Sequence, residues 1–529
     1  MSLKHEYPLL CPDVIAHNAR AHPHALAVVC GAERLSWRDL EERTNKVANA
    51  LLGLGLKHQD KIALLIPASL EAFIAFWASA KAGFVVVPLN VMLDQDSLQR
   101  LTSDSDAIVI ITDGDTEAAV DLIRDELPAI AADHFLTFGD GRPGWQSIRA
   151  LSERASPQNP GVPISPDDVI TILYTSGTTG QPKGIEHTHA SRMMYPYGFS
   201  MGLQIDRYSV AILGTPPYAS GTWITMMPAM YRGAVCVILK KFTAQSFLEA
   251  VEQEHGTHAF LVPTQYIALL QEPDLGKYDL SSMRCLVTSG QPIAEKTYLA
   301  IEAAFPSASI YEVYGFTEGL ATLRIPLDSA RGKRTSVGKP ILLEDVRIVG
   351  EDDKEVAVGE TGEIVAHTIG MMNGYYKNPE LTAAATWVAP DSRSFIRTGD
   401  SGHLDEDGFL YVSGRLKDMI KSGGINIYAN DIEQVFMRHP AVREVAAIGV
   451  PDLKWGETPL IVVILNEDTT ATEDELKTWG NDILAKYQRV SRVVIREDLP
   501  RAVYGKVAKA ELRQEFGTGT PLETAGASA

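Results

Sequence analysis

Apolar residues along the first two thirds of the chain recur in two alternating periods, one helical and one extended. Ser36 and Asp39 form a capping box ahead of an apolar face at Leu40, Val47, Ala48, Leu51 and Leu52, which predicts a helix. Lys61 to Ile66 reads as a strand, Ser69 caps a helix running to Ala82, and Phe84 to Val87 reads as the next strand. Further apolar runs recur at Ala107 to Ile111, Val169 to Leu173, Ser209 to Leu213, Ala259 to Val262, Arg284 to Val287 and Ile310 to Tyr314, with a helix expected at Ala294 to Ala304. Strand and helix in alternation predict an α/β fold of doubly wound, largely parallel sheets.

After about Gly338 the runs shorten and Gly- and Asp-rich turns separate them, at Val346 to Val349, Glu363 to His367 and Phe409 to Val412. This predicts a β-rich subdomain over about 338–414, closing a large N-terminal domain of residues 1–414. A small α+β domain is expected over 415–516. It has an Asn430-to-Glu433 cap before Ile432, Val435 and Phe436, strands near Val445 to Ile448 and Leu460 to Leu465, a helix near Glu473 to Tyr487 and a strand at Arg492 to Ile495. Residues 517–529 are small and polar, and are expected to be a disordered tail.

Charge narrows the partners. With 67 acidic against 48 basic residues the net charge is -19, which argues against a nucleic-acid surface or a general affinity for anionic lipid, so a polyanion must be held by a local site. The four cysteines, Cys11, Cys30, Cys236 and Cys285, are far apart and suggest neither a zinc site nor a disulfide framework. No apolar run approaches membrane-spanning length and no leader pattern opens the chain; a cytoplasmic protein is expected.

The stretch Tyr174 to Gly184, YTSGTTGQPKG, places three glycines, four hydroxyls and one amine in a tight loop after a buried strand. Glycines let backbone approach a ligand while hydroxyls and the amine donate to it, which suits phosphate. It is not a Walker A loop, because Pro182 precedes Lys183 and Gly184 follows it. Tyr314 to Gly319, YGFTEG, follows another strand, where an open sheet leaves a ligand crevice; by itself a Thr-Glu pair is an ordinary helix cap. At Thr398 to Asp400, TGD, a carboxylate after a tight turn can accept both hydroxyls of a ribose, or can be a solvated turn. His187 and His189 lack supporting ligands and read as capping or core residues rather than a metal site.

These motifs, with TSGQPI at Thr288 to Ile293, GRLKDMIKSGGINIY at Gly414 to Tyr428 and PRAVYGKVAK at Pro500 to Lys509, resemble the adenylate-forming superfamily in the right order over nearly the whole chain. That superfamily contains acyl- and aryl-CoA synthetases, peptide-synthetase adenylation domains and beetle luciferases. The resemblance implies a phosphate loop at Thr175, Ser176, Gly177, Thr178, Thr179, Gly180 and Lys183. It implies an adenine lining at Ser289, Gly290, Gln291 and Pro292, with Tyr314 and Gly315 beside the nucleotide and Asp400 on its ribose. Thr317 would touch the AMP phosphate, Glu318 would hold Mg2+ bound to ATP, and Arg415 would contact ribose or phosphate. Lys417 would be the hinge, Lys506 the adenylation lysine, and Lys421 with Gly423 and Gly424 would face the site when the thiol arrives.

The implied activity is that of a carboxylate-CoA ligase using ATP, Mg2+ and coenzyme A on a small-molecule carboxylic acid, with no membrane span and a homodimer allowed. Tyr218, Gly221, Trp223, Phe316 and Leu320 would line an apolar, aromatic acid pocket favouring an aryl, alicyclic or medium-chain acid. The chain departs from the pattern at several places. Ser394 and Phe395 replace a usual Gly-Trp pair, Ala502 and Tyr504 replace hydroxyls near Lys506, and Tyr218 stands where many relatives have histidine. An acyl-AMP ligase serving a carrier protein, a luciferase-like oxygenase and a non-catalytic nucleotide-binding protein are the alternatives; the last would be expected to lose Glu318 or Lys506, and both are present.

Overall fold

The computed structural model describes residues 10–140, 142–175, 182–216, 219–291, 293, 295–341, 344–368, 370–466, 469–501 and 507–517, without the side chains of 320 and 321. Two large sheets dominate. One has nine strands, and its parallel centre runs Ser309–Phe316, Cys285–Ser289, His258–Leu261, Val210–Leu213, Val235–Ile238, Leu26–Cys30. The other has eight, centred on parallel strands Val169–Thr175, Val85–Pro88, Lys61–Leu65, Ala107–Thr112 and Phe135–Thr137. Each parallel centre is extended at one end by an antiparallel hairpin, Ser309–Phe316 with Gly319–Arg324 in the first sheet and Val169–Thr175 with Lys183–Thr188 in the second.

Why the sheets face each other is written in the helix Leu70–Lys81, LEAFIAFWASAK. It is apolar on nearly every side, so no face can be left to water. Phe73, Phe76 and Trp77 join one hydrophobic cluster with Val28, Leu213 and Val287 of the first sheet and Ile62, Val86 and Ile170 of the second. Burying each such aromatic contributes about 1.5–3 kcal/mol, enough to make this shared layer the centre of the molecule. Lys81 ends the helix inside that layer, and its three ammonium protons meet Glu41 at 2.5 Å, Asn45 at 2.8 Å and Thr44 at 3.0 Å. Separate apolar clusters cover the outer faces of both sheets.

The caps and strand positions read from sequence recur with shifts of a residue or two: Ser36 caps Trp37–Leu52 and Ser69 caps Leu70–Lys81. One expected cap is absent, and two motifs occupy other settings than the local alternatives raised for them. The helix at 429–436 begins at Ala429 behind Tyr428 without a side-chain cap, because Asn430 is already inside it. Thr398 to Asp400 lies inside the strand Ser394–Leu404, as a bulge on the side of Gly362–His367 with Gly399 at φ +67, while Asp400 pairs with Arg415 on the other side. Thr317 and Glu318 open no helix; they are the two residues between the hairpin strands ending at Phe316 and starting at Gly319.

The β-rich segment forms an antiparallel sheet of Asp345–Val349, Gly362–His367, Ser394–Leu404, Thr386–Val388 and Leu410–Arg415. It is not a closed unit, since Lys339–Pro340 and Gly374–Tyr375 pair into the two large sheets. The smaller C-terminal domain builds a sheet around Val442–Asp452 and Gly456–Leu465, with helices on both faces and the last helix ending at Gly517. The rest of the expected tail, 518–529, lies outside the described residues. All four cysteines are buried and unpaired, and among the described residues no helix is long and apolar enough to cross a membrane.

Gly338 takes φ +93, and a β-carbon there would lie 2.2 Å from the Leu323 backbone, whereas Gly31 at φ +59 has open space around that position. An L-residue at positive φ costs about 1–2 kcal/mol at either site. Gly338→Ala adds a clash with backbone that cannot swing away, so its urea midpoint should fall well below that of Gly31→Ala. Equal midpoints would mean that the strand Lys339–Pro340 is free to shift.

Candidate active site

The site is built where the two added hairpins meet. Thr317 and Glu318, at the turn of one, are gripped from the other sheet. His187 Nε2 lies 2.8 Å from the Thr317 carbonyl, which can only accept, so the proton is on Nε2 and Nδ1 takes a hydrogen bond from Arg192 Nη2 at 3.2 Å. Burial, with the Arg192 charge adding, holds the His187 imidazole well below its ordinary pKa, in keeping with that neutral form. Glu318 is held twice. Its carbonyl accepts from Met372 N at 2.7 Å, and its carboxylate accepts from the Tyr375 hydroxyl at 2.7 Å.

Tyr375 belongs to the short strand beside Lys183–Thr188, and the Lys183 ammonium stands over its ring at 5.3 Å. A single tyrosine thus brings the carboxylate of one motif and the amine of another to one place. Burial and the Glu318 charge push its phenol pKa upward, so it stays protonated as the donor. Thr175 pairs across the hairpin with Lys183. The loop between them, with Ser176, Gly177, Thr178, Thr179 and Gly180, lies outside the described residues. Its base is braced: Tyr174 donates to Asp104, Tyr376 to Asp106 at 2.7 Å, and Lys377 pairs with Asp106 at 2.6 Å.

A second cluster lies one strand away. Asp400, buried in mid-strand, accepts from the Tyr314 hydroxyl at 2.7 Å and from Arg415 Nε at 2.8 Å, while its backbone N donates to the Thr398 hydroxyl at 3.0 Å. The strand register puts Asp400 opposite Arg415. Gly315 pairs with Leu320 just before the turn. Ser289 ends its strand, Gly290 follows at φ +93, and Thr288 keeps a buried hydroxyl without a hydrogen-bond partner among the described residues. Gln291 is half-buried and Pro292 lies outside the described residues.

The residues expected to line the acid pocket fall only partly within the described residues. Phe316 is half-buried at the hairpin turn, Tyr218 lies outside the described residues, and so does the Leu320 side chain. Gly221 cannot carry a side chain, because a β-carbon would stand 2.4 Å from the Phe260 ring. Trp223 is 1% exposed, with ring contacts to Phe76, Trp77 and Tyr195 and the Arg192 guanidinium 4.8 Å away, so it serves the core layer.

The C-terminal domain meets the strand of Asp400 where the Ser401 hydroxyl donates to the Tyr428 hydroxyl at 3.1 Å. Lys417 lies in a single helical turn, Leu416–Asp418, among the charges of Arg415, Asp400, Asp418 and Arg513; partial burial, with the two arginines adding, lowers its ammonium pKa. Lys421, Gly423 and Gly424 stand exposed at a hairpin tip, where the Gly423 backbone N donates to the Trp455 carbonyl at 2.8 Å. Arg443, Glu444 and Arg501 instead face the helix Pro263–Leu270 across a cleft of about 360 Å³. Arg501 pairs with Val507 in a β-bridge and with Glu444 at 2.7 Å; Lys506 lies outside the described residues.

Two parallel sheets carrying a Thr-Glu turn, a Lys-Tyr contact and an Asp-Tyr-Arg cluster beneath a small α+β domain describe an enzyme class rather than a binding module. Residues 15–376 match the family described as AMP-binding enzyme and residues 431–506 match the AMP-binding enzyme C-terminal domain. The chain belongs to the AMP-binding enzyme family. It is 33% identical to a feruloyl-CoA synthase of Amycolatopsis over 94% of this chain and 97% of that one, and 33% identical to the indoleacetate-CoA ligase of Aromatoleum aromaticum over 96% and 98%. Its fold matches ATP-bound MatB from Rhodopseudomonas palustris with a TM-score of 0.87 at 28% identity, over 96% and 99% of the two chains.

Two site features lay outside the sequence reading. Tyr375 stood in a Gly-Tyr-Tyr run, Gly374 to Tyr376, whose aromatic pair before a polar turn was the available signal. His187 was read as a core residue; it is buried, and it also carries the link to Thr317.

The strand leading into the turn is itself held by a buried ion pair, Glu312 to Arg324 at 2.5 Å. Removing one partner of such a pair costs about 3–5 kcal/mol because the other charge is left in the interior. Glu312→Gln should therefore lower the urea midpoint far more than Glu355→Gln, which removes one of several rim contacts to Arg347. Comparable losses would mean that water reaches Arg324.

Proposed function

We propose that this AMP-binding enzyme is a carboxylate-CoA ligase that uses ATP, Mg2+ and coenzyme A, with an aryl, alicyclic or medium-chain acid as substrate. The observation that carries the reading is the junction at Tyr375, where Glu318 and Lys183 from two different sheets converge. Condensing a carboxylate with the α-phosphate of ATP joins two anions, so the site must supply cations and fixed donors where charge accumulates. Lys183 and Thr317 are the groups we assign to the phosphates, and Asp400 with Tyr314 and Arg415 to the nucleoside. Glu318 is the residue that would hold Mg2+. Among the described residues no three metal-ligating side chains cluster, which suits an ion that keeps phosphate oxygens and water for its remaining positions. Bound there, the ion supplies neutralisation of phosphate charge.

In the first half-reaction the carboxylate oxygen attacks the α-phosphorus and pyrophosphate leaves with the bond it held. In the second the CoA sulfur attacks the acyl carbonyl and AMP departs, the thiol proton going to solvent or base. A free thiol has a pKa of about 8.5, so positioning rather than acidity limits this step. We assign Lys506 to adenylation and Lys421 with Gly423 and Gly424 to the thiol step. Arg501, five positions before Lys506, faces the helix Pro263–Leu270 while Lys421 stands exposed, which supports an adenylation arrangement with the small domain, 415–516 in our reading, turning about Lys417. The names of the feruloyl and indoleacetate relatives support an aryl acid.

A panel of carboxylic acids assayed for AMP release with and without CoA tests the reading. Aryl, alicyclic or medium-chain acids should outcompete acetate and amino acids, with sustained release only when CoA is present. Best turnover on acetate, or release indifferent to CoA with every acid, would refute it. The two half-reactions separate further. Lys506→Ala should slow pyrophosphate release by several kcal/mol of barrier, of the order of one electrostatic contact in a dry site, and spare thioester formation from supplied acyl-adenylate. Lys417→Pro should do the reverse, since proline fixes φ at the turning point. Equal loss of both half-reactions in both variants would exclude the alternation.

A further inference from the structure

A buried positive charge in the core layer stands without an ion pair. Arg192, on the helix His189–Gly202, is 1% exposed, and among the described residues no carboxylate pairs with it. Its Nη1 donates to the Tyr195 hydroxyl at 3.0 Å and its Nη2 to His187 Nδ1 at 3.2 Å, while its Nε has no hydrogen-bond partner among the described residues. The guanidinium stands 4.8 Å from the Trp223 ring, whose π face offsets part of the charge. Burial is the largest influence on the group and lowers its pKa. A core built for stability alone would carry an apolar side chain here, because a buried charge without a counter-charge destabilises.

The neighbour of that charge shows what it does. A guanidinium can only donate, so the Nδ1 facing Arg192 carries a lone pair, and the proton of the neutral ring lies on Nε2, 2.8 Å from the Thr317 carbonyl. Arg192 thereby excludes the tautomer whose Nε2 lone pair would face that carbonyl. It also opposes protonation of the ring, which burial already disfavours, so a single form of the imidazole is selected.

The strand that carries His187 directs this selection at the turn. Lys183, Ile185 and His187 alternate along Lys183–Thr188 and so share one face. Ile185 pairs with Tyr375, whose hydroxyl donates to the Glu318 carboxylate at 2.7 Å and whose ring lies 5.3 Å from the Lys183 ammonium. One strand face therefore reaches both residues of the turn, Glu318 at its side chain through Tyr375 and Thr317 at its backbone through His187. A peptide unit is planar and trans, so holding the Thr317 carbonyl also sets the direction of the Glu318 N–H, which points away from His187. With the Glu318 carbonyl taken by Met372 N at 2.7 Å, the peptide planes on both sides of Glu318 are held from outside the hairpin.

We propose that Arg192 and His187 act together as positioning residues for adenylation. Arg192 selects the tautomer, His187 holds the Thr317–Glu318 peptide, and that peptide presents the Thr317 hydroxyl and the Glu318 carboxylate to the phosphates and their Mg2+ in one orientation. The inference rests on the ligase reading of Thr317 and Glu318, and neither Arg192 nor His187 is assigned a contact with substrate. Loss of a group that orients a metal ligand reduces activity or metal affinity by about ten- to hundredfold, and here it should act on kcat rather than on binding of the acid.

Two measurements test this. In the nitrogen NMR spectrum of wild type labelled at histidine, the signal that disappears in His187→Gln should report a proton on Nε2 near neutral pH, without any ligand present. In assays of pyrophosphate release, His187→Leu should lower kcat by about tenfold or more and raise the Mg2+ concentration needed for half-maximal rate, with the KM for the acid within about threefold of wild type. His187→Gln can accept from Arg192 and donate to Thr317, and should keep kcat within about threefold of wild type. Arg192→Leu should slow kcat in the same sense as His187→Leu. A wild-type proton on Nδ1, an unchanged kcat in folded His187→Leu or Arg192→Leu, or a Gln variant as slow as the Leu variant would overturn the proposal. If the Leu variants do not fold, the wild-type tautomer and the rate of His187→Gln decide it. No pyrophosphate release with any acid would defeat the ligase reading, while the spectrum would still report the tautomer.

Discussion

The arrangement depends on a constraint at one turn: Thr317 and Glu318 are presented by one sheet and held by the other. A hairpin end in isolation is among the more mobile parts of a sheet, since it has few neighbours and its backbone groups face water. Here the Thr317 carbonyl is taken by His187, the Glu318 carbonyl by Met372 and the Glu318 carboxylate by Tyr375, all from the far side of the junction. A hydrogen bond to a charged group contributes about 1.5–3 kcal/mol, and the geometry it imposes matters more than that figure. It fixes the distance between two sheets that are otherwise joined through a layer of apolar side chains, which resist separation but tolerate sliding.

That constraint also explains which parts of the chain could be read from the residues alone. Helices with capping boxes and strands buried on both faces declare themselves locally, so Trp37–Leu52, Leu70–Lys81 and the parallel strands were legible to within a residue or two. The motifs were legible as candidate phosphate and nucleotide groups because their chemistry is concentrated in short stretches. What was not legible is the pairing between them. Nothing near Glu318 in sequence announces Tyr375, which arrives through a two-residue strand added beside Lys183–Thr188. Asp400 looked like a turn residue because Thr-Gly-Asp is turn chemistry; that preference survives as a bulge with Gly399 at φ +67, inside a strand that pairs Asp400 with Arg415 on one side. Asn430 looked like a cap because Asn usually is one, but Tyr428 precedes the helix and Asn430 is already within it.

The same division separates general from particular features. The net charge of -19 rules out reading the surface as a polyanion trap, and the cations that matter are few and individually placed. Lys183 is positioned by an aromatic ring and Arg415 by Asp400, so neither relies on a basic field. Each therefore retains its place when salt screens the exposed charges, because contacts at this range lie well inside a Debye length of about 8 Å.

Motion must be reconciled with this rigidity. The contacts that hold the turn come from His187, Met372 and Tyr375, all in the large domain, so the proposed turning of the small domain would leave them intact. It meets the site through Arg415, whose bond to Asp400 belongs to the strand pairing just before Lys417, and through the Tyr428 hydroxyl, to which Ser401 donates at 3.1 Å. Arg415, held to Asp400 through the strand pairing, lies two residues before Lys417, the proposed turning point, which is surrounded by charges of both signs. In the alternation proposed above, a rotation there would bring new side chains to the site and leave Glu318, Lys183 and Asp400 where they are, the condition for one set of proposed nucleotide contacts to serve two successive steps.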